Sequence, residues 1–106
     1  MSFAQSAQNL RVDDGHILRG QLQNVNGDWV DAELDLNSCI GNDWGNFQWG
    51  GENFSGSSQD INFTVEGDAS VPVLRAVIDD GNGGHNQRDL NLGERIQNSD
   101  GQLVFI

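Results

Sequence analysis

The side chains in this sequence that could do chemistry are two histidines, one cysteine, paired acids, and neutral amides gathered near glycine-rich turns. Cys39 sits in the apolar-periodic stretch Leu34-Asp35-Leu36-Asn37-Ser38-Cys39-Ile40. A thiolate nucleophile needs a base beside it, and no motif places His16 or His85 there. Cys39 therefore reads as a small buried hydrophobe, and a lone cysteine forms no intramolecular disulfide. The adjacent acids Asp79-Asp80 would serve a glycosidase only if one were held in a cleft with a raised pKa. Acids in a turn are usually solvated. Asp80-x-Asn82-x-Gly84 opens like a calcium loop but lacks the third oxygen ligand and the closing Glu. Gly81-x-Gly83-Gly84 lacks the strand-to-helix setting of a nucleotide loop and reads as a hairpin tip. There is no Gly-x-Ser-x-Gly, P-loop, His-Glu-x-x-His or Cys-x-x-Cys. The reading is of a non-enzymatic chain with no metal and no cofactor.

What remains is neutral polar density near the predicted turns: Gln5, Ser6, Gln23, Asn24, Asn26, Asn42, Asn53, Ser57 and Asn98, with Asp100 among them. Sugars are uncharged and covered in hydroxyls, so their sites need groups that donate and accept in pairs. Turns call for the same residues, so this pattern alone points to sugar without deciding it.

Charge removes other partners. The net charge is −11 with only five Lys and Arg, which repels phosphate backbones and anionic lipid. Nucleic acid and membrane are therefore excluded as partners. The sixteen acidic residues read as a soluble, self-repelling surface. No basic segment followed by an apolar run opens the chain, and no stretch approaches a membrane span. The expectation is a cytoplasmic protein, with Asn53-Phe54-Ser55 and Asn62-Phe63-Thr64 as chance matches to the glycosylation pattern.

The elements that must position these residues come twice. Shifted by 56 positions, Ile17-Leu18-Arg19 falls on Val73-Leu74-Arg75, Asn26-Gly27 on Asn82-Gly83, and Leu34, Leu36 and Ile40 on Leu90, Leu92 and Ile96. Asn42 and Gly45 fall on Asn98 and Gly101, and nine of 33 positions from 17 to 49 are identical without a gap. Phe3 to Leu10 falls on Phe54 to Ile61 with a shift of 51, so copy two carries five extra residues. They are expected in a loop-like stretch, Val65 to Pro72. The copies are 1–50 and 51–106, meeting at Gly50-Gly51, and neither has the apolar content to fold alone. The whole chain, 1–106, is then a single domain.

Within each copy the pattern is strand. Ile17 to Leu22 leads through Asn26-Gly27, a strong hairpin signal, into Trp29-Val30, and Val73 to Ile78 repeats it. Phe47, Trp49, Leu103 and Phe105 alternate and are expected to face inward. Helical turns are expected after Phe3 and Phe54, and at Asn37 to Ile40 and Gly93 to Ile96. The class is all-β with short helical turns.

Leu34 to Asn42, then Gly45-Asn46-Phe47-Gln48-Trp49 and Asn53-Phe54, resemble the cyanovirin-N homologue family, as does Arg95-Ile96-Gln97-Asn98-x-Asp100-Gly101-x-Leu103. The resemblance covers essentially the whole chain. It implies a pseudo-two-fold, tandem-repeat β fold with strands exchanged between repeats. Half A would be about 1–39 plus 95–106, and half B about 40–94. It also implies a lectin for high-mannose glycans and their Manα1-2Man units, with one site at each end. Carried over by position, site A comprises Gln5, Ser6, Gln23, Asn24, Val25, Asn98 and Asp100. Gln23 stands where the family has an acid, and Val25 where it has a hydroxyl. Site B comprises Asn42, Trp44, Asn53, Ser57, Asp79 and Asp80, with Gly41 and the stretch to Gly83. There Trp44 takes the place equivalent to Asp100, Gly41 and Gly56 have lost acceptors, and Gly81 has lost a basic donor. Site A is expected to bind, and site B to be weak or silent. The prototype's disulfide positions fall on Ala7 with Leu22 and on Ser58 with Ile78. A monomer is expected, with a domain-swapped dimer through Gly50-Gly51 as the other state. The alternative from another class is a calcium-binding, two-repeat protein of the βγ-crystallin kind, which is also rich in glycine, aromatics and acidic loops.

Overall fold

The computed structural model describes residues 3–106, an elongated all-β body of 49 × 26 × 21 Å. Strands β1 (Ala7–Asp13), β2 (Ile17–Gln23) and β3 (Trp29–Asp35) form one antiparallel sheet. The hairpin of β4 (Ile40–Asp43) and β5 (Asn46–Trp49) follows. The same order then repeats as β6 (Ser58–Glu66), β7 (Val71–Asp79) and β8 (His85–Asn91), followed by the hairpin of β9 (Ile96–Ser99) and β10 (Gln102–Phe105). Four 3-10 turns, Phe3–Ser6, Leu36–Ser38, Phe54–Ser57 and Leu92–Glu94, link these pieces.

The hairpins do not pack in chain order. The β9–β10 hairpin lies against the Phe3–Ser6 turn and β3, whereas β4–β5 lies against the Phe54–Ser57 turn and β8. One apolar cluster runs through the middle, with Leu18, Leu22, Leu36, Ile40, Phe54, Leu74, Leu92 and Ile96 essentially inaccessible; Ile78 is equally buried. The two pairs of prototype disulfide positions are cross-strand neighbours, Ala7 opposite Leu22 and Ser58 opposite Ile78. Fully buried Leu22 and Ile78 fill those places by packing, and the Ser58 hydroxyl donates to the Phe54 carbonyl at 2.6 Å.

Three expectations change in detail. The five extra residues are not a loop but more strand: β6 and β7 have nine residues each against seven in β1 and β2, and their turn adds one more. Thr64, Val65 and Val71 favour the pleat, and the register continues through Val65 opposite Pro72 to Glu66 opposite Val71. Pro72 is tolerated because pairing with β8 begins only at Val73, so its missing N–H breaks no bond on that side. The internal helical turns start one residue earlier than their sequence placed them. Asp35 and Asn91 cap them, accepting from the amides of Asn37 and Gly93 at 2.9 Å. Finally, Leu103 is buried and Phe47 and Trp49 pack on the core, but Phe105 is a surface residue. Its partners are Trp49, stacked at 5.8 Å, and the Arg95 guanidinium, 5.0 Å from its ring centre.

The lengthened hairpin is fastened by Arg75, whose guanidinium takes Glu66 with both arms, while the Thr64 hydroxyl donates to Glu66 at 2.7 Å. The Arg75 bonds, then that of Thr64, hold the Glu66 carboxyl down to about 2 from 4.5. A carboxyl depressed in the folded state contributes stability that is complete above its unfolded value and is lost as pH falls through its folded one. The melting temperature should therefore fall as pH drops from about 4.5 to about 2. Glu66→Gln should make that slope measurably shallower in thermal melts followed by circular dichroism.

Candidate functional site

Each end of the molecule carries a polar cluster built on one asparagine. Asn98, on β9, donates one Nδ2 proton to the Ser6 hydroxyl at 3.0 Å and the other to the Gln23 carbonyl at 2.9 Å. Its Oδ1 accepts from the Gly101 amide at 2.8 Å. Asn42, on β4, repeats the arrangement with Ser57 at 2.9 Å, the Asp79 carbonyl at 2.7 Å and the Gly45 amide at 2.7 Å. Each brace ties a hairpin to a 3-10 turn and to the end of a central strand. Both amide protons are spent, so these asparagines position a surface rather than present a donor to a ligand.

The rims also match. Asn24 Oδ1 accepts from the amides of Asn26 and Asp28, both at 3.0 Å, folding the β2–β3 turn over itself. Asp80 does the same for Asn82 and Gly84 at 2.8 and 2.9 Å. Those two amides, Asn82 first, lower the Asp80 carboxyl below the ordinary carboxylate range, so it is an anion at neutral pH.

The clusters differ at one equivalent backbone position. Asp100 and Trp44 both follow a brace strand in the left-handed region, at φ 50° and 51°. Aspartate tolerates that conformation, whereas a bulky ring there is rare. Asp100 Oδ1 accepts from the Val25 amide at 3.0 Å, which links β9–β10 to the β2–β3 turn. The second carboxylate oxygen has no protein partner among the described residues. Trp44 is 73% exposed, and its ring lies over Gly81, where a Cβ would stand 3.2 Å away; the φ of +82° there is what favours glycine. The ring forms one wall of a cavity of about 440 Å³ with Asn42, Ser57, Asp79, Asp80 and Gly81.

Of the residues expected at the first site, Ser6, Gln23, Val25, Asn98 and Asp100 are joined directly by these bonds, and Asn24 shapes the turn between them. Gln5 lies beside Ser6 but turns its amide away, donating to the Ala69 carbonyl at 3.1 Å. Of those expected at the second, Asn42, Trp44, Ser57, Asp79 and Asp80 share the cavity. Asn53 is not among its lining residues. It caps the Phe54–Ser57 turn at φ 60°, its amide donating to the Asn37 carbonyl at 2.9 Å. Gly41 is buried where two backbones cross, and a Cβ on it would lie 2.9 Å from Gly51 Cα and from the Glu52 nitrogen. Sequence reasoning missed Asn37, whose side chain both donates to the Ser55 hydroxyl at 2.7 Å and accepts from its amide at 3.1 Å. Its place as the first residue of the expected helical turn, Asn37 to Ile40, was the available signal.

Neither cluster pairs a nucleophile with a base. Cys39 is buried, and burial pushes its thiol up. His16 Nδ1 lies 2.7 Å from Asp35 Oδ1, the same carboxylate that caps Leu36–Ser38. The chemistry on offer is recognition by hydrogen bonds.

The family model described as the CVNH domain matches residues 3–104. The chain is 42% identical to a Cyanovirin-N homolog of Neurospora crassa over 107 residues, 97% of this chain and 96% of that one. Among solved structures, a designed Cyanovirin-N homolog lectin superposes with a TM-score of 0.93 at 48% identity, covering all of both chains. Microvirin in complex with mannobiose superposes with a TM-score of 0.86 at 27% identity, covering 99% of this chain and 98% of the other.

Proposed function

The chain belongs to the CVNH domain family, and from that premise we propose that it is a non-enzymatic lectin for mannose-containing oligosaccharides, binding Manα1-2Man units at the cluster around Asp100. The observation that carries this is the Asp100 carboxylate. One of its oxygens is fixed by the Val25 amide, and the other remains to accept from a sugar hydroxyl beside exposed Gln23. An oriented anion accepts shorter and stronger bonds than a neutral amide does.

The second cluster keeps the brace and the rim but has an indole in place of that carboxylate, so it binds the same disaccharide weakly or not at all. Family membership replaces the βγ-crystallin alternative. The protein acts as a monomer in this reading. Supporting it is the tight crossing of Gly41 with Gly51, which holds the Gly50-Gly51 segment in one path.

Titrating labelled protein with Manα1-2Man should move the amide signals around Gln5, Gln23 and Asn98 at sub-millimolar to millimolar sugar, as expected of a shallow site with few anchors. No movement anywhere at millimolar sugar would overturn the proposal.

A further inference from the structure

The two ends differ in a second way, and it involves the extra residues of repeat two. The β6–β7 hairpin is longer than the β1–β2 hairpin by two residues in each strand and one in the turn. Its tip, Gly67 to Ser70, reaches the other half of the molecule, where the Ala69 carbonyl accepts from Gln5 Nε2 at 3.1 Å across 64 residues of sequence. Gln5 immediately precedes Ser6, the hydroxyl held by Asn98. At the opposite end the equivalent of Gln5 is Gly56, and a Cβ built there meets nothing within 4 Å. The hairpin that would have to reach it, β1–β2, is the short one. The residue preceding the braced hydroxyl is thus tied to a hairpin tip at one end, whereas at the other end its equivalent is a glycine in open space.

Resting on the lectin reading above, we propose that the tip of the β6–β7 hairpin, acting through Gln5, is a specificity element of the first site. The Ala69 carbonyl takes the Gln5 amide out of the pool of sugar donors. Gln5 and the tip together close the edge across which a third ring would continue. The site therefore takes a terminal disaccharide, and a longer oligomannoside gains little from its added ring.

Two variants test this. Gln5→Ala removes an exposed side chain and should fold normally. The second variant exchanges residues 65–72 for the turn Asp14-Gly15-His16 that repeat one uses, which restores the shorter hairpin. Calorimetry with Manα1-2Man and with Manα1-2Manα1-2Man gives an affinity ratio for each protein. That ratio should rise about 3- to 10-fold in either variant, the scale of one or two new neutral hydrogen bonds to the third ring. If both sugars bind with an unchanged ratio while the melting temperature drops, Gln5–Ala69 is a structural tie and the inference falls. If the unaltered protein binds neither sugar, the lectin reading falls and takes the inference with it. Should the hairpin exchange fail to fold, Gln5→Ala alone decides between these outcomes.

Discussion

Replacing Asp100 with alanine should lower the affinity for Manα1-2Man by about 10- to 100-fold, the range for losing a charge-assisted hydrogen bond. The substitution removes both functions of the carboxylate at once. The sugar loses its anionic acceptor, and the Val25 amide loses the bond of 3.0 Å that holds the β2–β3 turn toward β9–β10. That amide lies in an exposed turn and is rehydrated by water, so the fold itself should be little affected. Trp44→Ala is the matched control, since Trp44 stands at the equivalent place in the other repeat. It should leave disaccharide affinity within about two-fold, because a surface change away from the ligand costs little. Calorimetry on both variants checks the pair. If Trp44→Ala abolished binding and Asp100→Ala did not, the sugar would be bound in the 440 Å³ cavity at the other end.

The largest expected loss of stability comes from Gly41→Ala. A Cβ there would lie 2.9 Å from Gly51 Cα and from the Glu52 nitrogen, and both are main chain that cannot turn aside as a side chain would. Inserting atoms into a packed site typically costs about 1–3 kcal/mol. In a domain of this size that corresponds to a melting temperature lower by roughly 5–15 °C. Gly56→Ala meets nothing within 4 Å and should change stability by less than about 0.5 kcal/mol. Equal melting temperatures for the two variants would show that the Gly41–Gly51 crossing is slack.

Much of this architecture was legible in the sequence, because the repeat carried it. Leu18, Leu36 and Ile40 recur as Leu74, Leu92 and Ile96, and all six are buried in one cluster. Asn42 and Asn98 were visible as a repeated pair, but their role was not. Whether an amide faces a ligand or braces a turn depends on where its two protons go, and no spacing encodes that. The extra five residues were visible as a shift in register, yet they read as a loop because their stretch holds the only proline, Pro72. The outcome turned on where β8 stops pairing, which is a tertiary fact. Gly41 read as a lost acceptor. Its actual constraint is a second backbone ten residues on, and local pattern cannot see a crossing of that kind. Phe105 alternated correctly but lay beyond the reach of the core.

The two braces differ sharply in when they can form. Asn42 finds Ser57 across 15 residues, whereas Asn98 must find Ser6 across 92. Loop-closure entropy alone makes the longer search costlier by about 1.6 kcal/mol. On a ribosome the difference becomes one of order. At the end that carries Trp44, the Asn42–Ser57 bond can form before β9 and β10 have emerged. The Phe3–Ser6 turn must wait, uncovered, until β9 and β10 have left the exit tunnel. The half proposed to bind sugar is thus assembled after the other in each newly made molecule.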